Sequence, residues 1–492
     1  MQDLKAARER LNQTPDNSSR PPSSQAPWER GSTTSSEPEE QDETPSAEEP
    51  AAAGEGDAPD DTEAAAPKDD ARRRKRGSGR AGRRPGTPGV SRRQRLPLDG
   101  EVTHAPECCA LCGDAHPLRT QAYTARDEID LVAPVSGQGL VLRHLKHTYL
   151  EAHCACGHHT RAAPGRCPAE EDWQVALTEW HLAGAGLVVF IGALALRQRM
   201  SRARIQEFLH DWWGLSLSTA TINQCLHEAG RAVAPVVQEA IVATLREAEL
   251  IHADETSWSQ HDQHLWLWVF TSATTVFFLI GRRSRAVLAQ ALGWTFGGWV
   301  MCDGYLAYRH LPWRLRCWAH ILRKARGLAE SLEREAQAFG TQVLATFETL
   351  MEAVYAARAA PAQPPGSLRR QHAATLEALF AQCRAHAGAS HAKTGELARE
   401  LLLDWDTFWG VLDDPTRPLT NNEAERALRH WVIARRISLG TRTEQGSRAF
   451  TLLASVIETC RKRAISPWPY LTEVIRLRRC GLPAPPLPEP AV

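Results

Sequence analysis

The stretch LIHADETSWSQHDQHLWLWVF at residues 250–270 decides the fold, together with TVFFLI at 275–280 and WVMC at 299–302. The apolar runs in these stretches are rich in aromatic and β-branched residues and are bounded by turn or charged residues, which is typical of β-strands. We predict two strands in the first stretch, one in each of the others, a short helix at 284–292 and a fifth strand at 315–318. Neighbouring strands followed by alternating helix and strand predict an α/β fold, a mixed sheet with helices on its faces.

Three acidic residues lie at the ends of these elements. Asp254 is predicted to end the first strand, and Asp303 directly follows the fourth. Glu425 lies one turn into a helix that we expect Asn421 or Asn422 to cap. Carboxylates that converge repel one another unless a cation neutralises them, and Mg²⁺ with oxygen ligands fits that need. Two such ions would support phosphoryl transfer, although each acid alone could simply end a strand or favour a helix N-terminus.

Two close cysteine pairs indicate a second metal site. Cys109 and Cys112 form the first pair, and Cys154 and Cys156 form the second. Four thiolates suit tetrahedral Zn²⁺, so these residues are the predicted ligands, although a knuckle that folds without metal remains an alternative. Nearby residues that could replace one of the four are Cys108, His153, His158 and His159.

The charge of the chain is unevenly distributed. The 492 residues include 58 Lys and Arg against 58 Asp and Glu, and the ordinary composition excludes a collagen-like or wholly disordered chain. Residues 1–100 hold too few apolar residues for a core, and we predict a disordered arm that is acidic at 35–70 and basic at 71–95. The basic stretch would attract DNA phosphate by counterion release, but a solvated linker is an equally good interpretation.

No segment is typical of an export signal or a membrane span. The longest apolar run, at 182–196, is shorter than the roughly 20 residues that cross a bilayer, so we predict a buried helix there. The other cysteines are scattered, which favours buried thiols over disulfides. We therefore expect a cytoplasmic protein without a membrane partner.

Residues 173–247 have a helical pattern that contains a predicted helix-turn-helix. Ile205, Phe208 and Leu209 would form its apolar face, Gly214 would end the first helix, and Ser216 or Ser218 would cap the second. Such a motif can place its second helix in a major groove of DNA, but helices that merely pack have the same spacing. Two basic residues of this region, Arg202 and Arg204, are predicted DNA contacts.

The remainder of the chain is predicted to be mainly helical. We expect a helical insertion at 328–418, one or two helices at 446–480 and a loose tail at 481–492. In the segment Cys317-Trp318-Ala319-His320, the cysteine and tryptophan are expected to pack in the core, and His320 to approach DNA phosphate. Further predicted phosphate contacts are Arg323, Lys324, Arg426 and Arg429, although a solvated basic face would look alike.

Several motifs in this order resemble the IS66-family transposases of bacterial insertion sequences. They are RRPGTPG, the cysteine pairs, IHADETSW, VMCDGYLAY, RCWAHILRKA, LTNNEAERALR and GTRTEQGSRAFTLLASVIETCRKRAISPWPYL, and they run from about residue 83 to 475. The resemblance implies a zinc-binding module at 101–170 and a ribonuclease-H-like DDE domain at 248–327 and 419–445 that the insertion interrupts.

The same resemblance implies the catalytic residues. They are Asp254 in ADET, Asp303 in CDGY and Glu425 in NNEAER. Glu423 is a competitor for the third position, but the family pattern places its acid directly before an arginine, here Arg426. The second cysteine pair departs from the common C-x2-C form, which leaves its part in a zinc site open.

The implied activity is metal-dependent cleavage at transposon ends and strand transfer into target DNA. It would use Mg²⁺ or Mn²⁺, with Zn²⁺ in the cysteine module. The expected partners are the terminal inverted repeats, target DNA, further copies of the chain and accessory proteins encoded by the element, at the bacterial nucleoid. A catalytically silent DNA-binding regulator and a ribonuclease-H-like nuclease that never joins DNA are the alternatives.

Overall fold

The computed structural model describes residues 96–115, 119–133, 137, 139–360 and 364–490, which lie in one compact unit. The predicted disordered arm lies outside the described residues as far as residue 95. None of the helices in the described ranges is both long and apolar enough to cross a membrane.

A four-stranded sheet forms the first part of the described chain. Its strands are β1 (Gly100–His104), β2 (Arg119–Val132), β3 (Val141–His153) and β4 (His159–Arg161). β3 pairs antiparallel with β2 on one side, and on the other side it pairs parallel with β1 and antiparallel with β4. The turn after β1 and the turn between β3 and β4 carry the two cysteine pairs, so this sheet brings the pairs together.

Four α-helices follow, the last two joined by a π-helical turn at Val237–Ile241, and the first is the buried helix that the apolar run predicts. They are α1 (Ala185–Leu196), α2 (Arg202–Trp213), α3 (Thr219–Val236) and α4 (Val242–Arg246).

The predicted turn between α2 and α3 is confirmed. Gly214 ends α2 in a left-handed conformation, and the hydroxyl of Ser218 accepts the N–H of Thr221 to cap α3. The second half of α3 is buried on nearly all sides. This helix-turn-helix therefore exposes only the first turns of its second helix, which limits what it could place in a groove of DNA.

The second sheet is the predicted mixed sheet. Its elements are β5 (Leu250–Gln260), β6 (Gln263–Thr271), β7 (Val276–Gly281), α5 (Arg285–Leu292), β8 (Trp299–Cys302) and β9 (Arg314–Arg316). The strand order is β7-β6-β5-β8-β9. β5, β6 and β7 are antiparallel, whereas β8 runs parallel to β5 and β9 runs parallel to β8.

Two details of the predicted strands are wrong. Asp254 does not end its strand, because β5 continues to Gln260 in its hairpin with β6. The parallel pairing of β5 with β8 does stop at His252, so Asp254 lies just beyond the end of its parallel neighbour. The fifth strand is earlier and shorter than predicted, since Trp318 already begins a helix.

The predicted helical insertion shares one hydrophobic core with the helix that precedes it. Its helices follow α6 (Trp318–Ala329) and are α7 (Arg334–Ala359), α8 (Ser367–Gln371), α9 (Ala373–His386), α10 (Ala392–Leu403), α11 (Trp405–Phe408) and α12 (Gly410–Asp413). Phe347 and Trp409 of the insertion pack on Trp318 of α6. The insertion is therefore anchored at the start of the helix that leaves the second sheet.

Three helices complete the chain: α13 (Asn422–Ser438), α14 (Glu444–Lys462) and α15 (Pro467–Arg479). Leu267 and Val269 of β6 share a buried cluster with Ala424 and Leu428 of α13. The other face of the second sheet joins the main core that contains α1 and α3. Helices thus cover both faces of the sheet, as predicted.

The expectation of a loose tail is wrong for residues 481–490. Arg463 donates a hydrogen bond of 2.7 Å to the carbonyl oxygen of Pro488, and the hydroxyl of Tyr470 donates one of 3.0 Å to that of Pro485. Leu487 also packs on the main core. Prolines cannot continue a helix, so this segment contacts the last helices without forming an element of its own.

Candidate functional site

The structure brings the three predicted acids into one neighbourhood. Asp254 comes from the middle of β5, Asp303 from the loop after β8, and Glu425 from the first turn of α13. Burial raises the pKa of Asp254 well above its ordinary value, and the charges of Glu255, Asp303 and Glu425 raise it further. Carboxylates from three separate elements therefore repel one another here, which is an arrangement that a cation would stabilise.

Local backbone geometry orients the two aspartates. Asp254 accepts the N–H of Glu255 at 2.9 Å, and Asp303 accepts the N–H of Tyr305 at 2.9 Å. Each of these bonds occupies one carboxylate oxygen and leaves the other oxygen of the same group for a ligand. Both residues are partly buried, so their carboxylates are shielded from solvent but not sealed from it.

Asn421 connects α13 to the strand that carries Asp254. Asn421 occupies the N-cap position of α13 as predicted, but its side chain does not cap the helix. Instead, the amide nitrogen donates to the carbonyl oxygen of Ala253 at 2.8 Å, and the amide oxygen lies 3.3 Å from Nδ1 of His252. The carbonyl oxygen of Asn421 accepts the N–H of Glu425 at 3.2 Å. One fully buried residue therefore links the backbone beside Asp254 to the turn that carries Glu425.

His320 also belongs to this neighbourhood. Its Nε2 lies 3.9 Å from Oε1 of Glu425, and burial lowers the pKa of the imidazole, which favours its neutral form. Among the described residues its buried Nδ1 has no hydrogen-bond partner. From the sequence, the Cys-x2-His spacing at the start of α6 also allows a metal site or a nucleophile, but we expected packing for the cysteine and a contact with DNA phosphate for His320. That spacing was the signal that could have placed His320 beside the acids.

Cys317 and Trp318 are buried, which confirms that they pack in the core. Atoms of Cys317, His320 and Glu425 that could bind a metal lie within 4.8 Å of one another. However, the Cys317 sulfur accepts the backbone N–H of Asn421 at 3.3 Å, and burial raises its pKa to about 11. These contacts favour a packing role for Cys317.

Glu255 is a buried acid that the sequence prediction missed. Because it follows Asp254 in a strand, its side chain points to the opposite face of the sheet. There its carboxylate accepts hydrogen bonds from Arg283 at 2.8 Å and from the hydroxyl of Tyr308 at 2.7 Å. Burial, followed by the charge of Asp303, raises its pKa to about 7. The adjacent acids in ADET were the available signal.

The rival acid Glu423 is engaged elsewhere. Its carboxylate accepts a hydrogen bond of 2.9 Å from Lys462 and lies 3.5 Å from Arg426. The hydrogen bond from Lys462 lowers its pKa. These contacts favour Glu425 as the third member of the acidic group.

The predicted DNA contacts have different environments. Arg426 and Arg429 are exposed on one face of α13, immediately after Glu425. Arg202 and Arg204 are exposed at the start of α2. Lys324 is bound to Glu400 of the insertion at 2.6 Å, so its charge is partly neutralised, whereas its neighbour Arg323 is partly exposed.

The four predicted cysteines converge at one edge of the first sheet. The sulfurs of Cys109 and Cys156 are 3.6 Å apart, those of Cys112 and Cys154 are 3.5 Å apart, and all four lie within 4.8 Å of one another. Thiolates around a tetrahedral zinc ion would be separated by about 3.8 Å, given bonds of about 2.3 Å. The set can therefore hold a zinc ion without large movement.

The chain around the cysteines is shaped by two tight turns. Gly113 and Gly157 follow the pairs with φ angles of 74° and 84°, which glycine adopts without strain. The N–H groups of Cys112 and Leu111 lower the pKa of Cys109 to about 6, which favours its thiolate. Cys108 is exposed and outside the set, so the structure requires no substitute for the four cysteines.

Comparison with known proteins identifies what the chain resembles. The sequence model of the family described as "Transposase IS66 family" matches residues 181–449, which is more than half of the chain. The chain is 26% identical over 312 residues to the uncharacterized protein y4qI of Sinorhizobium fredii, and the match covers 57% of each chain. It is 27% identical over 161 residues to the uncharacterized protein y4jO of the same organism, covering 33% of this chain and 47% of that one. The chain thus spans about half the length of these relatives.

Proposed function

The chain belongs to the IS66 transposase family, and from this membership we propose that it is a DDE transposase. It would cut DNA at the ends of a transposon and join those ends to target DNA. The observation that carries the proposal is the convergence of Asp254, Asp303 and Glu425 from three separate elements: burial raises the pKa of Asp254, and the nearby charges, those of Asp303 and Glu425 among them, raise it further.

The architecture around these acids supports a ribonuclease-H-like domain. Three antiparallel strands are followed by two parallel ones in the order β7-β6-β5-β8-β9. The first acid lies on the central strand and the second directly follows the strand beside it. The helical insertion then separates the second acid from the third, as the family resemblance implies.

The acids fit divalent cations, because their mutual repulsion needs positive charge and their ligand atoms are all oxygens. When bound, Mg²⁺ or Mn²⁺ would lower the pKa of the attacking water and stabilise the leaving oxygen. The role of Asp254, Asp303 and Glu425 is to hold that charge at the reacting phosphate. Arg426 and Arg429 would bind neighbouring phosphates and orient the DNA.

The reaction consists of two exchanges at phosphorus. In the first, water attacks a phosphodiester at the transposon end and releases a 3′-hydroxyl. In the second, that hydroxyl attacks a phosphodiester of target DNA, so one bond forms for each bond that breaks. No covalent intermediate with the protein is required, since the chain's residues only bind, orient and neutralise charge.

The proposed partners follow from this chemistry. Two transposon ends must be held side by side while each is joined to target DNA, so we propose that several copies of the chain assemble on DNA in the bacterial cytoplasm, with accessory proteins of the element. We further propose that Cys109, Cys112, Cys154 and Cys156 bind zinc, because their sulfurs have the required spacing. The zinc would stabilise the edge of the first sheet.

The test is a strand-transfer assay with Asp254→Asn. We expect the variant to bind end DNA with unchanged affinity but to give no joined product, because a neutral amide cannot hold the cation. Glu423→Gln is the matched control, since Glu423 is paired with Lys462, and it should retain joining. Joining by Asp254→Asn at the wild-type rate would contradict the proposal.

The same assay separates the two alternatives. A nuclease would produce nicked DNA but no joined product, whichever divalent metal ion is present in the assay. A silent regulator would shift end DNA in a gel without metal-dependent nicking. The convergence of intact acids favours the transposase over the silent regulator.

A further inference from the structure

A second group of metal-binding side chains lies beside the cysteine cluster. His153 of β3 and His159 of β4 are directly opposite in the antiparallel register, and Glu151 precedes His153 by two residues on the same face. Atoms of the three side chains that could bind a metal lie within 4.8 Å of one another. The group shares no residue with the four cysteines, which by themselves complete the coordination of one zinc ion.

The separations within this group fit a metal ion. Nε2 of His153 lies 3.2 Å from Oε1 of Glu151, and Nδ1 of His159 lies 4.0 Å from the same oxygen. Nitrogen and oxygen ligands of tetrahedral zinc would be about 3.4 Å apart, given bonds of about 2.1 Å. The two observed separations lie on either side of that value, so the spacing of the three side chains is compatible with such an ion.

Neighbouring side chains orient the carboxylate. Arg161 donates to Oε2 of Glu151 at 2.5 Å, and Gln121 donates to Oε1 at 3.2 Å. These bonds keep Glu151 ionised and direct Oε1 toward the histidines, as outer partners do around metal ligands. The positive charge of Arg161 also opposes a cation, so affinity should be lower here than at the four thiolates.

Exposure allows an ion to enter. The side chain of Glu151 is only 7% exposed, whereas those of His153 and His159 are 36% and 55% exposed. A carboxylate is thus buried beneath two accessible imidazoles. Two histidines and one glutamate are a known ligand set for zinc, and they leave a fourth position for water.

We propose that Glu151, His153 and His159 form a second zinc site, next to the cysteine cluster and independent of the acidic group. The site would tie β4 to β3 at the edge where the second cysteine pair begins. It does not rest on the proposed transposase activity, because it uses none of the acids, arginines or DNA contacts named for that reaction.

The experiment measures zinc bound to the purified full chain in excess Mg²⁺, which occupies carboxylate sites. We expect about two zinc ions per chain, and about one in the double variant His153→Ala/His159→Ala. The matched control is His158→Ala, a histidine of the same turn that belongs to neither cluster, and it should keep both ions.

Cobalt substitution identifies which site is lost and whether the variant is folded. The thiolate-to-cobalt charge-transfer absorption band should persist in the double histidine variant and disappear in the double variant Cys112→Ser/Cys154→Ser. Persistence of that band shows that the edge of the first sheet is intact. One zinc ion in the wild-type chain, or equal zinc in the wild-type chain and the double histidine variant, would overturn the proposal and leave the group as a metal-free hydrogen-bonded cluster.

Discussion

At the scale of single residues, the acidic group is held in a state that costs folding free energy. Burial and neighbouring charges raise the pKa of Asp254, so an ionised Asp254 is less stable in the folded chain than in the unfolded one. Sites that bind reactants commonly store unfavourable charge in this way.

Replacement of Asp254 should therefore stabilise the protein while removing activity. Because the raised pKa means that stability falls as pH rises above the ordinary pKa of the group, Asp254→Asn should have the higher Tm at neutral pH in chelator. For a chain of this length each kcal/mol of stabilisation corresponds to about 1 °C, so we expect a small rise in Tm. Differential scanning fluorimetry would measure it.

The control for this prediction is the response to metal. Added Mg²⁺ should raise the Tm of the wild-type chain and should have less effect on Asp254→Asn, since the variant lacks one ligand. A Tm for Asp254→Asn below that of the wild-type chain in chelator would show that the carboxylate instead stabilises the fold.

At the scale of elements, the position of α13 relative to β5 sets the third acid. Asn421 holds the start of α13 against the carbonyl group of Ala253. Further along the helix, Arg435 donates to the hydroxyl of Thr256 at 2.8 Å. The helix is thus attached to the strand on both sides of Glu425, and Glu425 has little freedom to move away from Asp254.

Loss of the hydrogen bond between Asn421 and Ala253 should reduce strand transfer more than it reduces the stability of the fold. Asn421→Ala leaves the carbonyl group of Ala253 unpaired, which costs about 1–3 kcal/mol of stability. Glu425 is then no longer held at a fixed position relative to β5. We therefore expect the affinity for Mn²⁺, measured by calorimetry, and the rate of strand transfer each to fall at least tenfold. Asn422→Ala, at the adjacent exposed position, is the control; an equal loss in both variants would assign no special role to Asn421.

The exposed arginines of α13 lead to a prediction about salt. Arg426→Ala/Arg429→Ala should weaken binding to DNA of any sequence and reduce the slope of log affinity against log salt by about 2, since about 0.9 is lost per phosphate contact. The matched variant Arg426→Lys/Arg429→Lys retains the charges and should retain the slope. Fluorescence anisotropy across a salt series measures both, and an unchanged slope in the alanine variant would place these arginines outside the DNA interface.

At the scale of the whole molecule, the first sheet is attached to the helices that follow it. Asp130 of β2 accepts the N–H of Leu187 at 2.8 Å in the first turn of α1. The N-cap residue of that helix is Gly184, which has no side chain that could accept this N–H group. A Cβ atom at Gly184 would lie 2.2 Å from the carboxylate carbon of Asp130, so glycine is required for this approach. Ile129 of the same strand belongs to the main core.

Removal of this cap should loosen the first sheet from the rest of the chain. Asp130→Ala should cost about 0.5–2 kcal/mol, as the loss of other N-terminal caps does. We expect calorimetry to show an earlier separate transition for the first sheet. Zinc content should not change, because Asp130 pairs with Arg143 toward the end of the β2–β3 ladder opposite to His153, beside which the second cysteine pair begins. Asp127→Ala, an exposed acid on the same strand, is the control; identical unfolding of the two variants would contradict a role for the cap.

Local patterns in the sequence were sufficient for much of the architecture. The mixed sheet, the buried helix α1 and the turn at Gly214 follow from the period of apolar residues and from turn chemistry, which act over a few residues. The cysteine pairs were likewise evident, because ligand type and spacing within a turn are local properties. The family motifs added the three acids, whose catalytic role stays a prediction.

Long-range contacts decided the rest. The sequence could not show that Asn421 bonds to Ala253 instead of capping its helix, because the two residues are far apart in the chain and meet only when α13 packs on the sheet. The same holds for His320 beside Glu425, for the pairing of Glu423 with Lys462, and for Asp130 at the start of α1. From the local sequence alone, each of these side chains could form hydrogen bonds or ion pairs with several residues equally well. The packing of separate elements decides which of them it contacts.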